Sequence, residues 1–93
     1  MSEAVTWDES GSRFTIDADG ELAGRLDYET GDDGALVLLH TIVEPEHQGK
    51  GVAGRLVAGA LERIRAEDRR IVPKCPYVVS WLEKHPEYGD LVA

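Results

Sequence analysis

A glycine-rich stretch near the middle of the chain is the part of the sequence best suited to chemistry. Residues 46–56 read EHQGKGVAGRL, with glycines at Gly49, Gly51 and Gly54. Glycine leaves backbone N–H groups unobstructed, and the first N–H groups of a helix have no partner within the helix. Because the positive end of the helix dipole adds to them, such a turn binds anions, with phosphate or pyrophosphate as the natural ligand. Lys50 adds a cation beside it.

Two phosphate-binding patterns fit this stretch poorly. The Walker pattern, glycine, four residues, then Gly-Lys-Ser/Thr, is absent. The letters G-x-G-x-x-G are present at Gly49, Gly51 and Gly54, but the preceding strands read as hairpins and not as a parallel βαβ unit. Arg69 and Arg70 stand where an acidic ribose-binding residue would be expected. A dinucleotide-binding fold is therefore disfavoured.

Several further side chains could act as a nucleophile or accept a proton. Cys75 precedes Pro76, which suits the first position of a helix, so the helix dipole would stabilise a thiolate there. His40 interrupts an apolar run and could accept a proton near neutral pH. Glu44 and Glu46 are rival bases. Each also has a structural interpretation: a small buried thiol, a hydrogen-bonded core histidine and two solvated carboxylates.

Structural roles are expected for the remaining tyrosines and histidines. Tyr77 and Tyr88 each have a hydroxyl that could donate a proton, but packing on a helix face and against the tail is expected for them. His47, His85 and Cys75 do not form a compact metal-ligand spacing, so we expect no metal site.

Alternation of apolar and polar residues predicts the strands that lead to the glycine turn. Residues 13–18 and 22–28 both alternate, and Asp19-Gly20 between them suits a type I′ hairpin turn. Residues 35–43, ALVLLHTIV, are almost continuously apolar, which predicts a central strand covered on both faces. Pro45 ends that strand, because proline cannot donate to a ladder.

Three more segments complete the predicted order. Apolar residues recur at steps of three and four from Val52, which predicts an amphipathic helix. Residues 69–73 read as a short strand, and a second helix is expected from Pro76 to about His85. With a weakly signalled strand at residues 4–8, the order is β-β-β-β-α-β-α.

Length and composition narrow the class of protein. Ninety-three residues suit one domain, residues 1–93, with one core. Ten Lys and Arg against eighteen Asp and Glu give a net charge of -8, which repels nucleic acids and anionic membranes. The lone cysteine allows no internal disulfide, the N-terminus does not resemble a signal peptide, and no apolar run could span a membrane, so a cytoplasmic location is expected.

The glycine turn resembles the acyl-CoA pyrophosphate loop of the GNAT superfamily of N-acetyltransferases. Gln48-Gly49-Lys50-Gly51-Val52-Ala53 matches its pattern Q/R-x-x-G-x-G/A. A short subgroup of this superfamily is similar over residues 36–91. The segments that carry this similarity are His40-Thr41, Glu46-x-x-Gly49-Lys50-Gly51, Pro73-x-Cys75-x-Tyr77-Val78 and His85-Pro86-Glu87-Tyr88.

This resemblance implies a minimal GNAT-like α+β fold, an antiparallel meander of about four strands followed by helix, strand and helix. A splayed opening would lie beside the strand ending at Val43, with pantetheine paired to that strand and pyrophosphate on the loop. The chain is short of the two helices and the last strands with which full-length members shape the acceptor site. The implied coenzyme-binding residues are Ile42, Val43, Gln48, Gly49, Lys50, Gly51, Val52, Ala53 and Gly54. Lys74 is a further candidate for CoA phosphates.

We therefore expect an acetyl-CoA-dependent N-acetyltransferase acting on a primary amine. The candidate catalytic residues are Cys75, His40 and Glu44, with Cys75 as either an acyl-accepting nucleophile or a proton donor to the departing thiolate. Two alternatives stay open: a CoA-binding protein with little or no catalysis, and a structural domain whose glycines only permit a tight turn. The acceptor amine and the oligomeric state stay unknown.

Overall fold

The computed structural model describes residues 3–93. It contains one five-stranded sheet with helices packed on one face. The strands are β1 (Glu3–Asp8), β2 (Arg13–Ala18), β3 (Glu21–Thr30), β4 (Leu36–Val43) and β5 (Ile71–Pro73), neighbours in that order. The helices are α1 (Val52–Ala66) and α2 (Pro76–Lys84), with short 3-10 segments at Pro45–His47 and Pro86–Leu91. The first four strands pair antiparallel, and β5 pairs parallel with β4 after the α1 crossover. The predicted α+β class and order of elements are confirmed.

The hairpin between β2 and β3 has the predicted geometry. Asp19 and Gly20 both have positive φ, 52° and 85°. A type I′ turn requires positive φ at both central residues, and its twist matches that of the flanking strands. This turn brings the start of β3 beside the segment that follows β4, as the contact between Glu21 and His47 shows.

The core lies between the sheet and the apolar stripe of α1. Strand periodicity sends alternate side chains of β2 and β3 to the helical face, where Phe14 and Leu26 have no solvent exposure. The helix contributes its buried residues to the same cluster: Val52, Leu56, Val57, Ala60, Leu61 and Ile64. Trp7 donates a hydrogen bond to the Tyr28 hydroxyl over 2.8 Å, and both rings pack in this core.

The prediction that β4 is covered on both faces is wrong. Leu36 and Leu38 are fully buried, but Ile42 is 40% exposed and His40 is also exposed. Both helices pack on the face that holds Leu36 and Leu38, and no other element of residues 3–93 covers the opposite face. The apolar run therefore reflects one buried face and one partly open face.

No helix formed by residues 3–93 is long and apolar enough to cross a membrane.

Candidate functional site

The turn between β4 and α1 adopts the shape that its glycines predict. Gly49 and Gly51 both have positive φ, 77° and 76°, a region that residues with a Cβ rarely adopt. The Gln48 side chain folds back and donates a hydrogen bond from Nε2 to the Val43 carbonyl over 3.1 Å. The turn is thereby tied to the end of β4 and presents its backbone at the start of the helix.

The N-terminus of α1 has the features of an anion site. Gly51 is the N-cap residue and offers no side-chain cap, and the first turn of the helix carries no acidic residue. The first intrahelical bond of this end runs from the Arg55 N–H to the Gly51 carbonyl. The N–H groups before it have no partner within the helix, and the positive dipole end is not neutralised by a carboxylate of the first turn.

A cleft of about 310 Å³ lies beside this helix end. Tyr77, from the start of α2, lines it together with the turn and the end of β4. Its lining contains six of the nine residues predicted to bind coenzyme: Val43, Gln48, Gly49, Gly51, Val52 and Ala53. These six residues reach the lining from β4, the turn and α1.

The other three predicted coenzyme residues lie outside the lining of the cleft. Ile42 points to the open face of the sheet, and Lys50 is exposed on the turn. Gly54 lies where α1 meets α2: a Cβ there would stand 3.4 Å from the Tyr77 hydroxyl and 3.7 Å from the Trp81 Nε1. Gly54 therefore faces two side chains of α2 at ordinary van der Waals distance. Lys74, the further candidate for CoA phosphates, is exposed.

The edge of β4 becomes free where β5 ends. β5 pairs with β4 only from Leu36 to Leu38. The backbone N–H groups of Lys74 and Cys75 both donate to the Leu38 carbonyl, over 3.0 and 2.9 Å, and the chain then turns into α2. Residues 39–43 have no strand partner on that side among residues 3–93. This is the geometry of a splayed opening between β4 and β5.

Cys75 lies at that opening. It is the N-cap residue of α2, 4% exposed, and its Sγ lies 3.2 Å from the Thr41 Oγ1. The hydroxyl and the thiol can each donate to the other. Thr41 was not predicted as a site residue, because its contact with Cys75 depends on the pairing of distant segments.

A β-bulge separates His40 from this opening. Cross-strand partners share a face of a sheet, and the register runs from Tyr28 opposite Leu38 to Leu26 opposite Thr41. The irregularity between Asp27 and Tyr28 leaves one extra residue in β4. His40 therefore lies on the open face with Asp27 as its partner, while Thr41 returns to the helical face. The interpretation of His40 as a polar residue inside a buried strand is wrong.

The other candidate proton carriers take different positions. Glu44 is half-buried, and its backbone N–H donates to the Ala23 carbonyl over 2.8 Å, which places it at the end of β4. Glu46 is exposed in the 3-10 segment. Tyr88 donates its hydroxyl proton to Glu62 of α1, which raises the pKa of Tyr88 because the neutral phenol is the donor. Tyr88 thus holds the C-terminal segment on α1, as its predicted packing role requires.

His47 is a residue of the cleft that the sequence did not predict. Its side chain is part of the lining and faces Glu21 across a gap of 3.7 Å between Nε2 and Oε1. Its position next to Gln48 is the only signal that the sequence offered, since the contact with Glu21 comes from the fold. Among residues 3–93, no three His, Cys, Asp or Glu side chains are grouped so that they could hold a metal ion.

Comparison with known proteins identifies a family. The family model described as GCN5-related N-acetyl-transferase matches residues 13–91. The NMR structure of a GCN5-like putative N-acetyltransferase from Staphylococcus aureus is similar at 25% identity, with 97% of this chain and 87% of that chain covered and a TM-score of 0.71. A search of curated proteins gave no match.

A second solved structure shares the fold alone. The crystal structure of the ribosomal-protein-alanine N-acetyltransferase from Brucella melitensis biovar Abortus 2308 is 21% identical, with a TM-score of 0.57. The match covers 87% of this chain but 60% of that one.

Proposed function

Because the chain belongs to the GCN5-related N-acetyltransferase family, we propose that this acetyltransferase moves an acetyl group from acetyl-CoA to a primary amine. The observation that carries the proposal is the cleft at the start of α1, which joins a helix end without a side-chain cap to the free edge of β4. Both features suit one elongated ligand with a phosphate group at one end and an amide-bearing arm at the other.

The residues of the turn fit the diphosphate of the coenzyme. Gly49 and Gly51 hold the backbone in the left-handed region, so a side chain would strain the turn at either position. The uncapped N–H groups at the start of α1 can donate to phosphate oxygens, and the exposed Lys50 can add positive charge. The peptide groups of residues 39–43 suit hydrogen bonds to the amides of pantetheine.

Bound acetyl-CoA supplies the thioester whose carbonyl carbon the amine attacks. The transfer forms a C–N bond and breaks the C–S bond. The amine must give up a proton, and the departing sulfur must receive one. The chain therefore has to provide a route for each proton and donors for the negative charge that develops on the carbonyl oxygen.

Cys75 is our candidate for the proton that the sulfur receives. Its thiol lies at the opening of the sheet, where it is buried, in contact with Thr41 and at the start of α2. Tyr77 is a second candidate donor, because it lines the cleft. Glu44, half-buried at the end of β4, is the candidate base for the amine, directly or through water. We do not include His40, which lies on the other face of the sheet.

A role of Cys75 as an acyl-accepting nucleophile is the covalent version of this mechanism. It predicts that the isolated protein gains the mass of one acetyl group on Cys75 when it is mixed with acetyl-CoA. Direct transfer predicts no such gain. Intact-protein mass spectrometry, with a Cys75→Ala variant as the control, distinguishes the two.

A coenzyme-binding protein with little catalysis is the second candidate function. Residues 9–12 between β1 and β2 form only a short connection, without the helices that shape the acceptor site in full-length members of the superfamily, and one face of the sheet is open. Both observations favour this alternative. This alternative predicts coenzyme binding without any release of free CoA thiol that depends on an amine. A screen of amines for thiol release from acetyl-CoA tests the proposed function against it.

A further inference from the structure

His47 has a buried nitrogen without a hydrogen-bond partner in the wall of the cleft. Its side chain is 16% exposed, and Nε2 is shielded from solvent. The nearest carboxylate oxygen, Oε1 of Glu21, is 3.7 Å away, beyond hydrogen-bond distance. Burying a polar atom without a partner costs free energy, and native proteins rarely leave one so. A state in which this nitrogen is paired is therefore expected.

Pairing this nitrogen requires a proton on Nε2 and a small movement of Glu21, and the hydrogen bond is strongest when the ring carries a positive charge. Glu21 is the first residue of β3, and its side chain is 72% exposed, so its carboxylate is free to move closer. A protonated imidazole carries N–H donors on both nitrogens. The positive charge would then lie on the wall of a cleft that also contains the uncapped end of α1. A negatively charged ligand in the cleft would stabilise this state.

We propose that His47, oriented by Glu21, is a further binding residue for the phosphate-bearing part of the coenzyme, and that binding is coupled to protonation of His47. The inference rests on the proposed function, because the coenzyme is the anionic ligand. It adds a residue outside the glycine turn and links affinity to pH.

The charged and titratable groups around His47 define the pH range of the test. Glu21 faces it from β3, and Tyr77 stands on the α2 side of the same cleft. Glu46 shares its 3-10 segment, Glu44 precedes that segment, and Lys50 follows on the turn. Of these residue types, only histidine ordinarily changes charge between about pH 5 and 8.

The experiment measures CoA affinity by titration calorimetry at pH 5.5 and pH 8. The phosphates of CoA titrate equally for every variant, so the readout is the ratio of affinities between wild type and His47→Gln at each pH. At pH 5.5 we expect wild type to bind CoA roughly three- to tenfold more tightly than His47→Gln does. At pH 8 we expect the two proteins to bind CoA with nearly equal affinity. Glu21→Gln should lose much of the same advantage.

His85 provides the matched control. It also faces a carboxylate, with 3.8 Å between its Nδ1 and the Oε2 of Glu87, but it is not part of the cleft lining. His85→Gln should keep the wild-type pH dependence. Proton uptake on binding, measured for wild type in two buffers of different ionisation enthalpy, should also fall in His47→Gln.

The outcomes separate this inference from the proposed function. Tight CoA binding with the same ratio of affinities at both pH values would overturn the role of His47 and leave the proposed function intact. Absence of CoA binding by wild type at both pH values would overturn both. If His47→Gln does not fold, the test is the proton uptake on CoA binding, compared between wild type and Glu21→Gln. Equal uptake by these two proteins would overturn the inference.

Discussion

The Thr41 Oγ1 and the Cys75 Sγ lie 3.2 Å apart, although 34 residues separate them in the chain. The contact forms because the bulge in β4 turns Thr41 to the helical face at the point where β5 ends. Cys75, at the start of α2, meets it there. The opening of the sheet thus holds a thiol with a hydrogen-bonding neighbour, directly beside the free edge of β4.

Replacing Cys75 should lower acetyl transfer more than it lowers stability. Cys75→Ala removes the proposed donor at the cost of a small change in a buried side chain, and general acid catalysis typically contributes about 10²- to 10⁴-fold. We expect the rate of amine-dependent CoA release to fall by about 10²-fold or more. Thermal unfolding should show a modest change in the free energy of unfolding.

Thr41→Val is the companion variant. It keeps the shape of the side chain and removes the hydroxyl next to Cys75. A smaller fall in rate than in Cys75→Ala is expected. Full activity of Cys75→Ala would contradict the assignment of Cys75 and shift the proton donor to Tyr77.

Gly59 should resist replacement by alanine although it lies in a helix. Alanine normally favours a helix interior over glycine by about 1 kcal/mol. A Cβ at Gly59, however, would lie 2.6 Å from the Val5 Cγ2 and 3.0 Å from its Cβ. We expect overpacking between β1 and α1 to lower the free energy of unfolding by about 1–2 kcal/mol in Gly59→Ala.

The double variant Val5→Ala with Gly59→Ala tests the cause. Truncating Val5 removes the Cγ atoms that the new methyl group meets, so the double variant should be more stable than the sum of the single changes predicts. Chemical denaturation of the four proteins measures the coupling. If the changes in the free energy of unfolding are additive, the contact with Val5 is not the reason why Gly59 resists replacement by alanine.

Tyr88 should stabilise the chain below pH 10 and cease to do so in strong alkali. The hydrogen bond to Glu62 is the main cause of its raised pKa, with burial as the second. Because the folded pKa exceeds the unfolded value, the stabilisation is complete below pH 10 and is lost as the pH rises through the folded pKa. Discounted for solvent exposure, the contribution is about 1 kcal/mol.

Tyr88→Phe removes this contribution and so provides the comparison. The difference in melting temperature between wild type and Tyr88→Phe should be constant from pH 7 to 9 and shrink above pH 10. Absorbance of the phenolate at alkaline pH should show a late-titrating tyrosine that is missing in Tyr88→Phe. A difference that is the same at pH 8 and at strongly alkaline pH would argue against the Glu62 hydrogen bond.

Local patterns were sufficient to predict most of the fold. Alternation predicted β2 and β3, Asp19-Gly20 predicted the hairpin turn, and the spacing of apolar residues predicted α1 from Val52. Each of these depends on neighbours along the chain. The glycine turn belongs to the same kind of signal, because positive φ and a helix start are local properties.

Contacts between distant segments explain what the sequence could not predict. The apolar run of β4 hides its alternation, so neither the bulge nor the outward position of His40 could be predicted from it. The neighbours of Thr41 and His47 are Cys75 and Glu21, which come from other strands or helices. Such pairs depend on the register between neighbouring strands. A shift of that register by one residue moves every following side chain of the strand to the other face of the sheet.

The central claim is that the cleft at the start of α1 binds acetyl-CoA, and thermal unfolding with and without the coenzyme tests it most directly. A ligand that binds only the folded chain stabilises it by about 2.7 kcal/mol at a hundredfold excess over its dissociation constant, a rise of about 10 °C or more for a domain of this size. Gly51→Glu should abolish the shift, because the new carboxylate repels phosphate and a side chain strains the turn.

Gly34→Glu is the matched control. Gly34 also has positive φ, 86°, but lies in the turn between β3 and β4, so the backbone is strained there while the cleft keeps its lining. We predict a coenzyme-dependent shift in wild type and Gly34→Glu, and none in Gly51→Glu. No shift in wild type at millimolar acetyl-CoA, or an equal shift in Gly51→Glu, would contradict the account.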